Sequence, residues 1–454
     1  MGLLAFFTLF LISSTSMIDT TGRLGRENMV TLVIRMAVPI MLSMALQAVY
    51  NIADSLFLSR YSLSAFAGVS VIQPFTQIII AIAIGLGTGL AGVLSNSLGR
   101  KDEKNAFSSI HSATYLALVV SIFFLAVMEV FSSPFVHFFV DDRDTYIAGN
   151  EYLRLFALGL PFVFLMNNFA SILQSHSQSR QAMMVQSSGC LVNIILDPLF
   201  IFTFDLGSLG AALATVIGFL VSTILGYVLV RRLELGKGSF SFALIKRIVY
   251  IGLPTLLVSG AGPIISIVYN KLVLQYGVEA MVAYGMYLKM ESFMFLSASG
   301  VSSALVVIAA YNLGEGKIDR IHSAYRVSLV IGWGTMLLGF LVFQVFTGFF
   351  VRLFTTEGGT LYALGILAFH YLSFCFLISP FNIITSGLFQ GLGQGFRGMA
   401  IIATRFFVFL IPYSFILSHL FGLRGLFLSY FAADLTNCLH VYIQKRMAFK
   451  NLEV

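Results

Sequence analysis

The sequence predicts an all-α integral membrane protein of about twelve transmembrane helices, arranged as two pseudo-symmetric lobes of six. Three observations predict it: a composition too apolar for water, apolar runs of spanning length, and an internal repeat at an offset of about 215 residues. Of 454 residues, 58% are hydrophobic and 10% charged, where a soluble domain carries roughly 25% charged residues. The mean hydropathy is +0.91. In lipid every backbone polar group must be satisfied internally, so apolar runs of about 20 residues mean spanning helices. The ten-residue alternation of a membrane barrel is absent.

Charged or Gly-rich breaks divide the chain into spans 31–58, 63–96, 105–132, 146–172, 179–203 and 209–231, then 244–275, 280–311, 320–347, 360–389, 398–420 and 423–444. The longest polar break, from Arg231 to Arg247, separates the two sets. The domains read as a leader over 1–28, disordered or interfacial, an N-lobe over 29–232, a cytoplasmic linker over 233–243, a C-lobe over 244–447 and a cytoplasmic tail over 448–454. Within the leader, residues 3–12 are too short to span and lack the basic start of a secretory signal.

Cations concentrate in alternate loops: Arg100, Lys101 and Lys104, then Arg180, the 231–247 cluster, Lys317 with Arg320, and Arg397. Arg23 and Arg26 before the first span and Lys445, Arg446 and Lys450 after the last fall on the same side. The positive-inside rule therefore puts both termini in the cytoplasm of a multi-pass protein of a prokaryotic inner or plasma membrane. The net charge of +7 thus reflects topology and no nucleic-acid partner is expected. Cys190, Cys375 and Cys438 lie inside apolar runs and read as small packed hydrophobes.

The halves repeat. "RMAVPIML" around Pro39 matches "YIGLPTLL" around Pro254, and "DPLFIFTFDLGSLGAALA" from Asp197 matches "IPYSFILSHLFGLRGLFLS" from Ile411. Repeats of six spans are parallel, and transporters of that plan place their sites near the midplane between the halves. Pro39, Pro198, Pro254 and Pro412 each remove a helix hydrogen bond inside a span, which suggests bends tied to gating. Gly85-x-x-x-Gly89 and Gly387-x-x-x-Gly391 allow close helix approach.

An ionisable residue at bilayer depth marks a functional site by default. Asp54 lies deep in span one and Asp197 in span five, where Asn193, four residues earlier, shares its helix face. Thr215 in span six could complete an oxygen cluster. Such a cluster can load and release a proton, or ligate Na⁺, a hard cation that takes oxygen ligands. Gln47, Asn51, Asn167, Lys289 and Glu291 are candidates to line the cleft. Lys289 and Glu291, two apart on a helix, point to different faces. Arg405 and Asp434 read as a structural pair as readily as a functional one. No HExxH, GxSxG or paired-His motif supports an enzyme, and no cofactor is expected beyond a coupling ion.

"PIMLSMALQAVYNIADSLFLS", "LGRKDEKNA" and "NIILDPLFIF", in this order across residues 28–447, resemble the multidrug and toxic compound extrusion (MATE) transporters, and most closely their damage-inducible-type prokaryotic branch. The resemblance implies a V-shaped pair of lobes and export of cationic or amphipathic small molecules by antiport with H⁺ or Na⁺. It also implies cation binding by Asp54, Asn193, Asp197 and Thr215, bending at Pro39, and a monomer among membrane lipids. Another branch places an acid in span seven, where "LLVSGAGPIISIVYN" has none. The alternative reading is a flippase or exporter of lipid-linked saccharides or other lipids, kept open by Lys271, Lys289 and Arg405.

Overall fold

The computed structural model describes residues 22–140, 142–355 and 359–450. The expectation for residues 3–12 and that for the end of the tail lie outside the described residues. All regular structure described is helical. Polar caps set several of the starts. Asn28 accepts from the amide of Val30 at 3.0 Å, following α1 (Gly22–Arg26) and opening α2 (Met29–Tyr61). Ser62 caps α3 (Leu63–Gly99), Asp102 caps α4 (Glu103–Phe139), and Asp142 caps α5 (Arg143–Leu158). The first half continues through α6 (Leu160–Ser175), α7 (Ser179–Pro198) and α8 (Gly207–Arg231). The second half comprises α9 (Phe242–Leu274), α10 (Val278–Gly314), α11 (Ile318–Val345), the short α12 (Thr347–Arg352), α13 (Thr360–Leu372), α14 (Ser379–Gly391), α15 (Gly395–Ala403) and α16 (Ile411–Lys450).

Among the described residues, nine helical stretches are long and apolar enough to cross a membrane, ten when α5 and α6 count as one bent span. Two further passes are visible. The 33-residue α9 is long enough to span, and the stretch Gly395–Met447 makes two passes because Gly422, at φ 61°, breaks it. The total is the expected twelve. Span four is not straight: α5 and α6 meet at 48° around Gly159, ahead of Pro161. Pro198 is followed by a π-helical turn over Leu199–Thr203, and Pro412 is preceded by one over Thr404–Leu410. Both are local rearrangements of the kind that absorb a missing backbone donor. Pro74 and Pro134 also sit inside helices, a pair that the sequence reading did not single out.

Among the described residues, three apolar cores hold the chain together. The first joins α3 through α8, and the third fills the second lobe around Tyr269, Tyr284, Phe343 and Phe376. The second lies between them and combines Leu32, Val33 and Met36 of α2 with Val301 and Leu305 of α10 and Leu388 of α14. Helix association in lipid relies on close packing and hydrogen bonds rather than on escape from water. The seam between the halves shows both. There a Cβ on Gly89 would stand 2.0 Å from the Ile248 carbonyl oxygen; within the second half one on Gly387 would stand 2.2 Å from Ser302 Oγ, so the small residues of both spaced pairs meet a neighbouring helix. Gly99 and Gly314 face each other's helices: a Cβ on Gly99 would lie 2.0 Å from the Tyr311 carbonyl oxygen, and one on Gly314 2.2 Å from that of Asn96. Asn96 Nδ2 donates to Ala310 O at 3.2 Å, and Arg247 Nη2 donates to Asn96 Oδ1 at 3.3 Å. These contacts gather at the end of the molecule that carries the α3–α4 and α10–α11 loops.

Candidate cation site in the first lobe

Helices α2, α7 and α8 bring Asp54, Asn193, Asp197 and Thr215 together. All four are buried, Asp197 completely. The helical spacing of Asn193 and Asp197 aligns them, and Asn193 Nδ2 donates to Asp197 Oδ1 at 3.3 Å and to Thr215 Oγ1 at 3.1 Å. Thr215 in turn donates to the Ala211 carbonyl at 3.0 Å, which leaves its oxygen free to accept. The amide nitrogen of Asn193 is thereby spent on its neighbours, and its oxygen is turned the other way.

Three acceptors in this group, Asp54 Oδ1, Asn193 Oδ1 and Asp197 Oδ2, are buried without a hydrogen-bond partner. A buried unmet acceptor costs about 1–3 kcal/mol, so three in one group of side chains favour uptake of a proton or a hard cation. Asp54 also lies within electrostatic reach of Asp197, and two ionised carboxylates so placed repel each other. Beside them is a chamber of ≈ 30 Å³ lined by Gln47, Tyr50, Gln186, Cys190, Asn193 and Thr215 among others. That is room for about one water-sized occupant.

The remaining candidates are dispersed. Gln47 lines the chamber. Asn51 is half-buried on the same helix, and its carbonyl accepts from Ser55 Oγ at 2.9 Å. Asn167 is turned onto its own helix, donating to Val163 O at 2.8 Å. Lys289 is exposed, whereas Glu291 points inward and accepts from Tyr287 Oη at 3.2 Å, as their different faces predict. Arg405 is clamped by Asp434, with Nη2 to Oδ2 at 3.0 Å, and Asn382 Nδ2 donates to the other carboxylate oxygen at 3.0 Å. The cysteines are free thiols. Among the described residues there is no group of three or more His, Cys, Asp or Glu side chains placed to hold a metal ion.

Sequence reasoning missed Tyr50, Tyr152 and Gln186. Tyr50 and Tyr152 lie within electrostatic reach of both carboxyls, and Gln186 lines the chamber. For Tyr50 a signal existed, since it stands four residues before Asp54 and so shares its face.

A family model described as MatE matches residues 39–199 and 254–416, once in each repeat. The chain belongs to the MatE family. It is accordingly a multi-pass membrane transporter, in a family that includes multidrug exporters. The multidrug export protein MepA of Staphylococcus aureus is 28% identical over 417 residues, covering 88% of this chain and 89% of that protein. An FAD transporter of Shewanella oneidensis is 25% identical over 407 residues, covering 86% of this chain and 88% of that one. Among solved structures, a multidrug-resistance MATE family transporter in an outward-facing conformation superposes with a TM-score of 0.89 at 24% identity, over 97% of this chain and 99% of that one. That likeness establishes the MatE fold.

Proposed function

We propose that this MatE transporter exports small cationic or amphipathic molecules in exchange for H⁺ or Na⁺, bound at Asp54, Asn193, Asp197 and Thr215. The observation that carries the reading is the trio of buried, unpartnered oxygens on Asp54, Asn193 and Asp197. A proton on one carboxyl turns an acceptor into a donor. A Na⁺ ion, a hard cation that takes oxygen ligands, would draw on the same oxygens together with Thr215. Either neutralises part of the charge that two neighbouring carboxylates build up.

With the charge-rich loops in the cytoplasm, as the positive-inside rule has it, the packed seam closes the cytoplasmic end, and access in this reading is from the outside. In this state the ion enters, α2 repacks about Pro39 and substrate leaves. The opposite state releases the ion and rebinds substrate, with Pro198, Pro254 and Pro412 as further bends. Coupling requires that ion and substrate prefer different states, because a ligand bound equally by both shifts nothing. Glu291, an inward carboxylate that accepts from Tyr287, is the residue of the second lobe that we propose for contact with a cationic substrate.

The test is efflux of ethidium from liposomes holding the purified protein, driven by a pH gradient or a Na⁺ gradient, with Asp197→Asn alongside. Transport that needs one gradient and is lost in the variant supports the reading and names the ion. Gradient-driven exchange that survives Asp197→Asn rules out the site. A second reading, export of a flavin nucleotide, is favoured by the Shewanella relative, and FAD-loaded liposomes test it directly.

A further inference from the structure

Helices α2 and α9 do not stay within one lobe. Before Pro39, Leu32, Val33 and Met36 of α2 are buried in a core shared with α10, α11 and α14 of the second half. Beyond it, Asp54 faces α7, and Leu58 joins the first-lobe core. The repeat mate behaves likewise. Ile248 and Ile251 of α9 are buried with first-lobe residues, whereas Ile265 and Tyr269, beyond Pro254, belong to the second-lobe core. Each helix is thus anchored at its start in the lobe opposite to the one that holds its end.

The segments leading into these helices extend the same crossing. Linker residues 239 and 241 dock on α4, with the Ser239 amide donating to Ser108 Oγ at 3.2 Å and the Ser241 amide to Ser112 Oγ at 2.9 Å. Residues 22–28 dock on the α10–α11 loop of the second half, where charged side chains grip bare carbonyls. Arg320 Nη2 donates to Leu24 O at 3.2 Å and Glu27 O at 3.0 Å, and Lys317 Nζ donates to Gly25 O at 3.0 Å. Asn312 Nδ2 donates to Leu24 O at 3.1 Å, and its oxygen accepts from Arg320 Nε at 3.1 Å. Leu24 is fully buried, and Gly25 is so close to the loop that a Cβ would stand 2.2 Å from Glu315 Oε2.

We propose that residues 22–28 are a strap that fastens the lobes together at the seam end, that Arg320 is its clasp, and that the strap must let go of the α10–α11 loop for that end to open. Arg320 acts as a positioning residue: it touches neither ion nor substrate, and holds the strap through backbone oxygens that α1 is too short to satisfy itself. The proposal rests on the alternating-access reading above.

The test is a reversible lock. In a background with Cys190, Cys375 and Cys438 replaced, Gly25→Cys with Glu315→Cys ties the strap to the loop under oxidation. Gradient-driven efflux should fall to the level of empty liposomes and return on adding dithiothreitol. Undiminished efflux from protein whose cross-link is complete would overturn the proposal, because a fixed anchor tolerates being tied. Spin labels at Lys104→Cys and Asp319→Cys, both exposed at the seam end, give a second measurement independent of transport. Arg320→Ala, or removal of residues 1–27 with every span retained, should raise the long-distance population about tenfold or more, since several charge-assisted hydrogen bonds are lost. Unchanged distances in the truncated protein would also overturn it. If the parent protein shows no gradient-driven transport at all, the fault lies with the antiport reading, and the label distances still decide the strap.

Discussion

Asp197→Asn should make the protein more stable while stopping transport. Asp197 is fully buried, and its Oδ2 has no partner, nor have Asn193 Oδ1 and Asp54 Oδ1. The amide keeps the shape of the carboxyl, removes a charge and supplies an N–H pair that can turn to either orphaned oxygen. Each buried acceptor left unmet costs about 1–3 kcal/mol, and a neutral hydrogen bond made in its place contributes about 1 kcal/mol net. Satisfying one acceptor should therefore raise stability by about 1–3 kcal/mol, or roughly 2–12 °C in melting temperature for a unit the size of one lobe. The assay is a melting curve of purified protein in detergent, at pH 8 and without Na⁺, paired with the liposome efflux measurement. The parent protein should close the gap when its own ligand is supplied, since a ligand at ten times its dissociation constant stabilises by about 1.4 kcal/mol. If that ligand is H⁺, the gap narrows as pH falls, because the folded state then takes up the proton that the acceptors lack. If it is Na⁺, the gap narrows on adding salt of Na⁺ but not of K⁺. A variant that melts lower than its parent under all these conditions would refute the account of the unmet acceptors.

Three further outcomes follow from the geometry. Gly99→Ala places a methyl 2.0 Å from the Tyr311 carbonyl and should pry the seam apart, raising cytoplasmic labelling of a cysteine introduced at Asn96; unchanged labelling counts against the packing described. Arg405→Ala strands the fully buried Asp434 carboxylate and should cost about 3–5 kcal/mol, seen as a lower melting temperature, whereas replacing both partners by Met and Leu should recover most of it. Asp102, outside the spans, has its carboxyl held below the usual carboxylate range by the Asn105 amide and side chain. A group lowered by folding stabilises above its unfolded value and loses that contribution as pH falls through the folded one. Amide exchange in the first turn of α4 should therefore speed up, after correction for intrinsic rates, as pH falls below about 4, and Asp102→Asn should abolish that dependence.

The spans were legible because bilayer thickness imposes one length on every crossing, and the two halves because matching runs surround Pro39 and Pro254. Asp54 and Asp197 stood out because charge is rare at depth. Two features escaped for a physical reason. In lipid an apolar face carries no mark of its neighbour, so hydropathy gave no hint that the start of α2 packs in the opposite lobe. Tyrosines number 18, and nothing in the sequence separates Tyr152 from those that only fill space, whereas Tyr50 was readable from its spacing to Asp54. The bend at Gly159 was readable in Gly159-Leu160-Pro161 and was passed over, because the hydropathy of span four continues through it.

The crossing of α2 and α9 also bears on how such a chain could have arisen. Each half lacks the first turns that complete its own core and borrows them from the other. A half-length ancestor with the same plan would have had an incomplete core on its own and a complete one as a swapped dimer, two copies exchanging their leading helices about a two-fold axis. Fusing such copies end to end needs only a connection as short as the one between Arg231 and Phe242. On that view the linker is a late convenience. Two fragments cut within it, produced together in one membrane, would find each other by trading the same helices.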